Sequence, residues 1–194
     1  MNIMTSLKSV EIEDPQAFKL RIEDYELLDR AGAFYGKKVE LIGGRIVVVN
    51  AQLQAHFVVK NRLGRRLQNA LEASGSAYEA MVEGSVALSP SDLPDPDILV
   101  AVVTPVRDYA RVDQVAMIVE VADTTLRHDL GEKRDLYAVS GIPEYWVVDV
   151  TSRQIHQFWS AAIGRYSESR IVPLDGPIAS ATIPDLAIDG SGIL

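Results

Sequence analysis

Asp97 and Glu120 are acids set in two otherwise apolar, β-prone runs, Asp97 to Val103 and Gln114 to Val121. Strands this continuously apolar are covered on both faces, so a carboxylate inside either of them needs a partner. If the two runs pair as a hairpin, the symmetric closure that sets Val103 against Gln114 also sets Asp97 against Glu120. Cross-strand Cβ atoms then lie about 4.5 to 5.5 Å apart, where like charges destabilise one another. Two such acids persist by sharing a proton or by closing on a cation, and hard divalent ions such as Mg²⁺ take one or two carboxylates plus water. Two acids of unequal length suit the cation. The other reading is that one or both acids end a strand at the solvent edge, each facing an arginine.

Further groups could join the pair. Glu40 alternates with Val39 and Leu41 and so can point away from them. Lys133 falls in the first turns of a helix that follows the second apolar run, where a lysine is ordinarily solvated. Asp129, Arg127 and His128 lie nearby, and Asp129 has the place of a helix N-terminal acid. His56 opens another helix and is expected to be a satisfied structural histidine that could brace Glu40 or touch a substrate. Arg62, Arg65 and Arg66 are spaced i, i+3, i+4 with Lys60 close by, which reads as a solvated helix face or as a cationic patch for a substrate.

The elements that must position these groups follow from periodicity and punctuation. Gln16 to Arg30 reads as a helix stopped by Gly32, and 1–15 as a flexible N-terminal extension. Lys38 to Ile42 and Arg45 to Asn50 read as a hairpin closed by Gly43-Gly44. Gln54 to Ser74 reads as the longest helix, with Phe57, Leu63, Leu67, Ala70 and Leu71 inward and Lys60 with the arginines outward. Tyr78 to Leu88 and the two acid-bearing runs are strands, the latter two in mid-sheet under helices. Asp129 to Ser140 is a helix stopped by Gly141, and Tyr145 to Asp149, Gln154 to Trp159 and Arg165 to Val172 are further strands. The expected fold is therefore α/β, a mixed central sheet flanked by helices, in one domain over 1–194.

Composition narrows the chemistry. With no cysteine and three scattered histidines, thiolate nucleophiles, disulfides and cysteine-based metal sites are excluded, so any metal is held by oxygen. There is no glycine-rich phosphate loop. No apolar run approaches membrane-spanning length and no secretory signal is visible, which makes the cytoplasm the expected address. The net charge of -8 opposes a broad phosphate-binding surface.

Taken together, Val39 to Gly44, His56, Pro96-Asp97-Ile98, Val119-Glu120-Val121, Asp129 to Lys133 and Gly141-Ile142-Pro143-Glu144-Tyr145-Trp146-Val147-Val148-Asp149 resemble the Uma-two family of putative restriction endonucleases. The resemblance runs from about Tyr25 to Trp159 and extends to the PD-(D/E)XK nuclease superfamily, with its restriction-endonuclease-like core. It implies that Asp97, Glu120 and Glu40 are the site acids. The superfamily lysine, two residues past the second acid, is replaced here by Ala122. The resemblance assigns that role to Lys133 instead.

The resemblance implies a Mg²⁺- or Mn²⁺-dependent endonuclease acting on DNA. Asp97, Glu120 and the Val121 carbonyl would hold the ion, Lys133 would serve the attacking water or the phosphate, and a homodimer would make two cuts. The acidic charge and the displaced lysine leave a second reading open, a noncatalytic module of the same fold acting through a dimer or partner surface. A metal hydrolase acting on a small phosphate or another nucleic acid is a third.

Overall fold

The computed structural model describes residues 17–49 and 53–194. The extension expected over 1–15, the start of the first helix at Gln16, and Asn50 lie outside the described residues. Helix α1 spans Ile22–Arg30, later than periodicity suggests, because the residues before it are engaged elsewhere. The Leu20 N–H donates to the Gly44 carbonyl, and the Ile22 N–H to that of Pro90. Strands β1 (Lys38–Ile42) and β2 (Arg45–Val49) form the expected antiparallel hairpin, with Ile42 opposite Arg45. Gly43 and Gly44 take φ of 58° and 74°, as a two-residue turn requires. Gly44 has a second reason to be glycine: a Cβ there would lie 2.6 Å from Lys19 Cβ.

Helix α2, Gln54–Ala73, is followed by β3 (Glu79–Val82) and β4 (Val86–Ala87). The single strand expected over Tyr78 to Leu88 is thus two, broken where Glu83 adopts a φ of 60° ahead of Gly84. Next come β5 (Ile98–Ala101), β6 (Ala110–Arg111) and β7 (Val115–Ala122). A continuous helical segment follows, made of α3 (Leu126–His128), a π-helical turn (Asp129–Lys133) and α4 (Arg134–Val139). It begins three residues earlier than the sequence suggests. Strands β8 (Glu144–Asp149), β9 (Gln154–Ala162) and β10 (Arg165–Pro173) complete the main sheet. Two short strands, β11 (Pro177–Ala179) and β12 (Ala187–Asp189), form a terminal pair that the sequence reading did not anticipate.

The main sheet has six strands in the order β10-β9-β8-β7-β5-β3. Only β7 and β8 run parallel; the other neighbours are antiparallel, so the sheet is mixed. A parallel pair needs a crossover, and here the α3–α4 segment supplies it, lying across the sheet. On that face Tyr137 and Ile142 pack with Leu99, Ile118, Tyr145 and Val147. The opposite face carries Val59, Leu63, Leu67 and Leu71 of α2 against Ile98, Val100, Val119 and Val121, with Ile178, Leu186 and Ile188 extending the cluster. The two acid-bearing strands are therefore central and covered on both sides, as their continuous apolar character predicts. No helix among the described residues is long and apolar enough to cross a membrane.

Candidate active site

Alternation along β7 sends Val119 and Val121 toward α2 and Ile118 and Ala122 toward the crossover helix. Glu120 shares the second face, and its carboxylate is buried there. Lys133 Nζ donates to Glu120 Oε1 at 2.9 Å, and the Tyr137 hydroxyl donates to the same oxygen at 2.8 Å. Lys133 is itself 9% exposed, not solvated, and its ammonium also lies 3.5 Å from Glu40 Oε1. Glu40 comes from β1, is 4% exposed, and receives a hydrogen bond from the Asp95 backbone. Carboxylates from two separate strands thus converge on one lysine.

The hairpin register holds where it matters for the site. Ile98 pairs with Val119, Leu99 with Ile118 and Val100 with Met117, the pairing that symmetric closure predicts. At the loop end a bulge at Val100/Ala101 sets Ala101 against Val115, so Val103 does not pair with Gln114. Asp97 falls one residue before β5, beyond the last rung, instead of within the strand. Its carboxylate stands in for the missing rung: Oδ2 accepts the Val121 N–H at 2.8 Å. Its Oδ1 meets His56 Nε2 at 2.9 Å and lies 3.6 Å from Lys60 Nζ. His56 therefore braces Asp97, not Glu40.

The charges set these groups apart. Burial raises the Glu120 carboxyl to about 8; Lys133 pulls against that, while Asp97, Asp129 and Glu40 add to it. For Lys133 burial works downward, but Glu120 and Glu40 outweigh it and hold the ammonium above its ordinary range. Burial also raises Asp97, yet the hydrogen bond and charge of His56, the Val121 N–H and Lys60 together keep it below its ordinary value. Glu40 and Asp129 are both raised, chiefly by burial. Asp129 accepts the Thr125 hydroxyl at 2.5 Å, and its backbone carbonyl accepts the Tyr145 hydroxyl at 3.0 Å.

Among the described residues no three His, Asp or Glu side chains make a ready metal cage. The donor types nevertheless suit a hard cation, with two carboxylates supplemented by a backbone carbonyl and water. Within a strand the N–H and C=O of one residue point to the same side. Since the Val121 N–H meets Asp97, its carbonyl is directed toward the same end of the site, past the last β5–β7 rung. A cavity of about 160 Å³ opens over these groups, and Asp123, Thr125 and His128 also line it.

Arg62, Arg65 and Arg66 do not line this cavity. Arg62 donates to the carbonyls of Gly192 and Ile193, and Arg66 to those of Asp189 and Ser191, so two of the three clasp the C-terminal segment. Lys60, expected on the outer face, is 2% exposed. Its position was legible: residues 56, 60, 63, 67 and 71 follow the spacing of one helix face, and Leu63, Leu67 and Leu71 bury it. Tyr137 was missed as well, although it stands four residues after Lys133 and so shares its face.

A family model described as "Uma2: Putative restriction endonuclease" matches residues 22–190. No curated protein sequence matches the chain. Among solved structures, a protein from Anabaena variabilis ATCC 29413, described as a putative nuclease belonging to DUF820, superposes with a TM-score of 0.66. It is 12% identical, and the match covers 90% of this chain and 97% of that one, a likeness of fold.

Proposed function

Because the chain belongs to the Uma2 family of putative restriction endonucleases, we propose that it is a metal-dependent endonuclease hydrolysing DNA phosphodiester bonds. The observation that carries this reading is the 2.9 Å contact of Lys133 Nζ with Glu120 Oε1. A lysine absent two residues past Glu120 arrives at that carboxylate from the crossover helix.

In this reading Asp97, Glu120 and the Val121 carbonyl hold Mg²⁺ or Mn²⁺. Such an ion, when bound, polarises the scissile phosphate and acidifies a nearby water. The chain's own residues prepare the geometry. His56 and the Val121 N–H fix the two oxygens of Asp97, and Tyr137 fixes one oxygen of Glu120. Glu40 holds the Lys133 ammonium from its other side. Lys133 then orients the attacking water or offsets the negative charge that grows on the phosphate. Cleavage of both strands calls for two such sites, hence a homodimer, which light scattering measures.

The test is to incubate the purified protein with supercoiled plasmid and Mg²⁺ or Mn²⁺ beside Asp97→Ala and Glu120→Ala. Nicking by the parent and not by the variants supports the reading; equal nicking by all three sinks it. The net charge of -8 favours a second reading, a noncatalytic module of this fold. That reading expects no cleavage of any DNA offered, with or without bound metal, and action through a dimer or partner surface.

A further inference from the structure

Lys60 and Glu83 form a second charged group beside Asp97. Lys60 reaches inward from α2, and its Nζ lies 2.6 Å from Glu83 Oε1 but 3.6 Å from Asp97 Oδ1. Glu83 also draws Lys38, whose Nζ is 3.5 Å away. Its backbone N–H donates to the Asp97 carbonyl at 3.1 Å, which ties the end of β3 to the residue that precedes β5.

The backbone of Glu83 is what makes this pair unusual. Its φ of 60° lies in the left-handed region that glycine enters freely and a glutamate enters at a cost. An outlier of this kind next to a site points to a function that offsets the strain. Glycine would serve the turn better; a carboxylate is present instead, and it is engaged by two ammonium groups.

We propose that Glu83 is a positioning residue that keeps the Lys60 ammonium hydrogen-bonded to its own carboxylate, so that Lys60 meets Asp97 only as a longer ion pair and Asp97 can still take a divalent cation. The inference rests on the metal site proposed above. Without Glu83, the buried ammonium closes on Asp97, already an ion-pair partner at 3.6 Å, and competes with the metal for it. Coulomb attraction between charges a few ångströms apart in a partly buried site is large enough to decide that competition.

The experiment is Mn²⁺ binding to the full chain without DNA, followed by electron paramagnetic resonance, for the parent, Glu83→Gly, Lys60→Met and the double variant. Glu83→Gly should weaken binding roughly tenfold or more. Its metal-free thermal midpoint should match or exceed that of the parent, since glycine fits the φ. Lys60→Met alone should leave binding unchanged or tighter, and added to Glu83→Gly it should restore most of the loss. Glu83→Gln, which keeps the side-chain length, should show the same rescue by Lys60→Met. If Lys60→Met improves binding by one common factor in all backgrounds, Glu83 acts only through its own charge and the proposal fails while the metal site stands. If the parent binds no Mn²⁺ beyond Asp97→Ala, both fail.

Discussion

Lys133 and Tyr137 stand one helical turn apart and share a single oxygen of Glu120, at 2.9 and 2.8 Å. Both side chains come from the segment that joins two parallel strands, so the connection the sheet topology demands is also the connection that supplies the site. Lys133 closes a π-helical turn and Tyr137 lies in the α-helix after it. Asp129, Lys133 and Tyr137 recur at every fourth residue, so all three turn to one buried face of this segment.

Lys133→Met should abolish plasmid nicking, by roughly 100-fold or more for the loss of a group that stabilises charge in the transition state. The protein should remain folded. Burial already raises Glu120 to about 8, so without the lysine it takes up a proton in place of remaining a bare buried charge. The expected cost is about 1–3 kcal/mol, that of a lost charged hydrogen bond. Nicking assays beside urea melts check both halves. Full nicking by a folded Lys133→Met would remove the lysine from the mechanism.

Tyr137→Phe removes one donor to Glu120 and little volume. It should cost about 1 kcal/mol in stability and reduce nicking by roughly tenfold without abolishing it, because Lys133 still holds the same oxygen. A parent-like rate would leave the tyrosine a packing role beside Tyr145, whose ring centroid is 5.0 Å away.

The sequence carried the sheet and the acids better than it carried their surroundings. Continuous apolar character is enough to place β5 and β7 in mid-sheet, and hairpin symmetry gives the rungs next to the site. The bulge at Val100/Ala101 was not legible, because the closing loop contributes pairing of its own: β6 joins β4, and the Val102 N–H bonds the Gln114 carbonyl. The burial of Lys133 was misjudged because a lysine is solvated by default, and only acids brought from distant strands reverse that. For Lys60 the same default overrode a helix-face spacing, shared with Leu63, Leu67 and Leu71, that already pointed inward. The β11–β12 pair is three residues per strand, too short for any period to show.

The pH dependence follows from Glu120, whose folded value of about 8 stands above the ordinary 4.5. Between those two values the folded protein keeps a proton that the unfolded chain has lost. This contribution to stability is complete below about 4.5 and disappears as pH rises through about 8. Metal-free protein should therefore lose urea resistance between pH 5 and pH 8.5 from this group. Mn²⁺ displaces the proton, so its binding should tighten over the same interval and release protons, measurable by calorimetry in buffers of different ionisation enthalpy. Binding that is flat in pH and releases no proton would exclude Glu120 as a ligand.

Gly64 sets how closely α2 approaches the site. A Cβ at that position would meet Val82 Cγ2 at 2.8 Å and Ile98 Cδ1 at 3.9 Å. Val82 and Ile98 form the last β3–β5 rung, the one immediately beside Glu83 and Asp97. Gly64→Ala gains about 1 kcal/mol of helix propensity but overpacks a buried contact, which costs about 1–3 kcal/mol. The net expectation is a loss of up to about 2 kcal/mol by urea melt. The more telling effect is geometric: α2 carries His56, which is fixed on Asp97 from that helix. Moving the helix outward lengthens the 2.9 Å His56–Asp97 contact, so Mn²⁺ affinity and nicking should fall further than the stability change alone would produce. If Gly64→Ala is destabilised yet binds Mn²⁺ like the parent, the α2 contacts do not position Asp97.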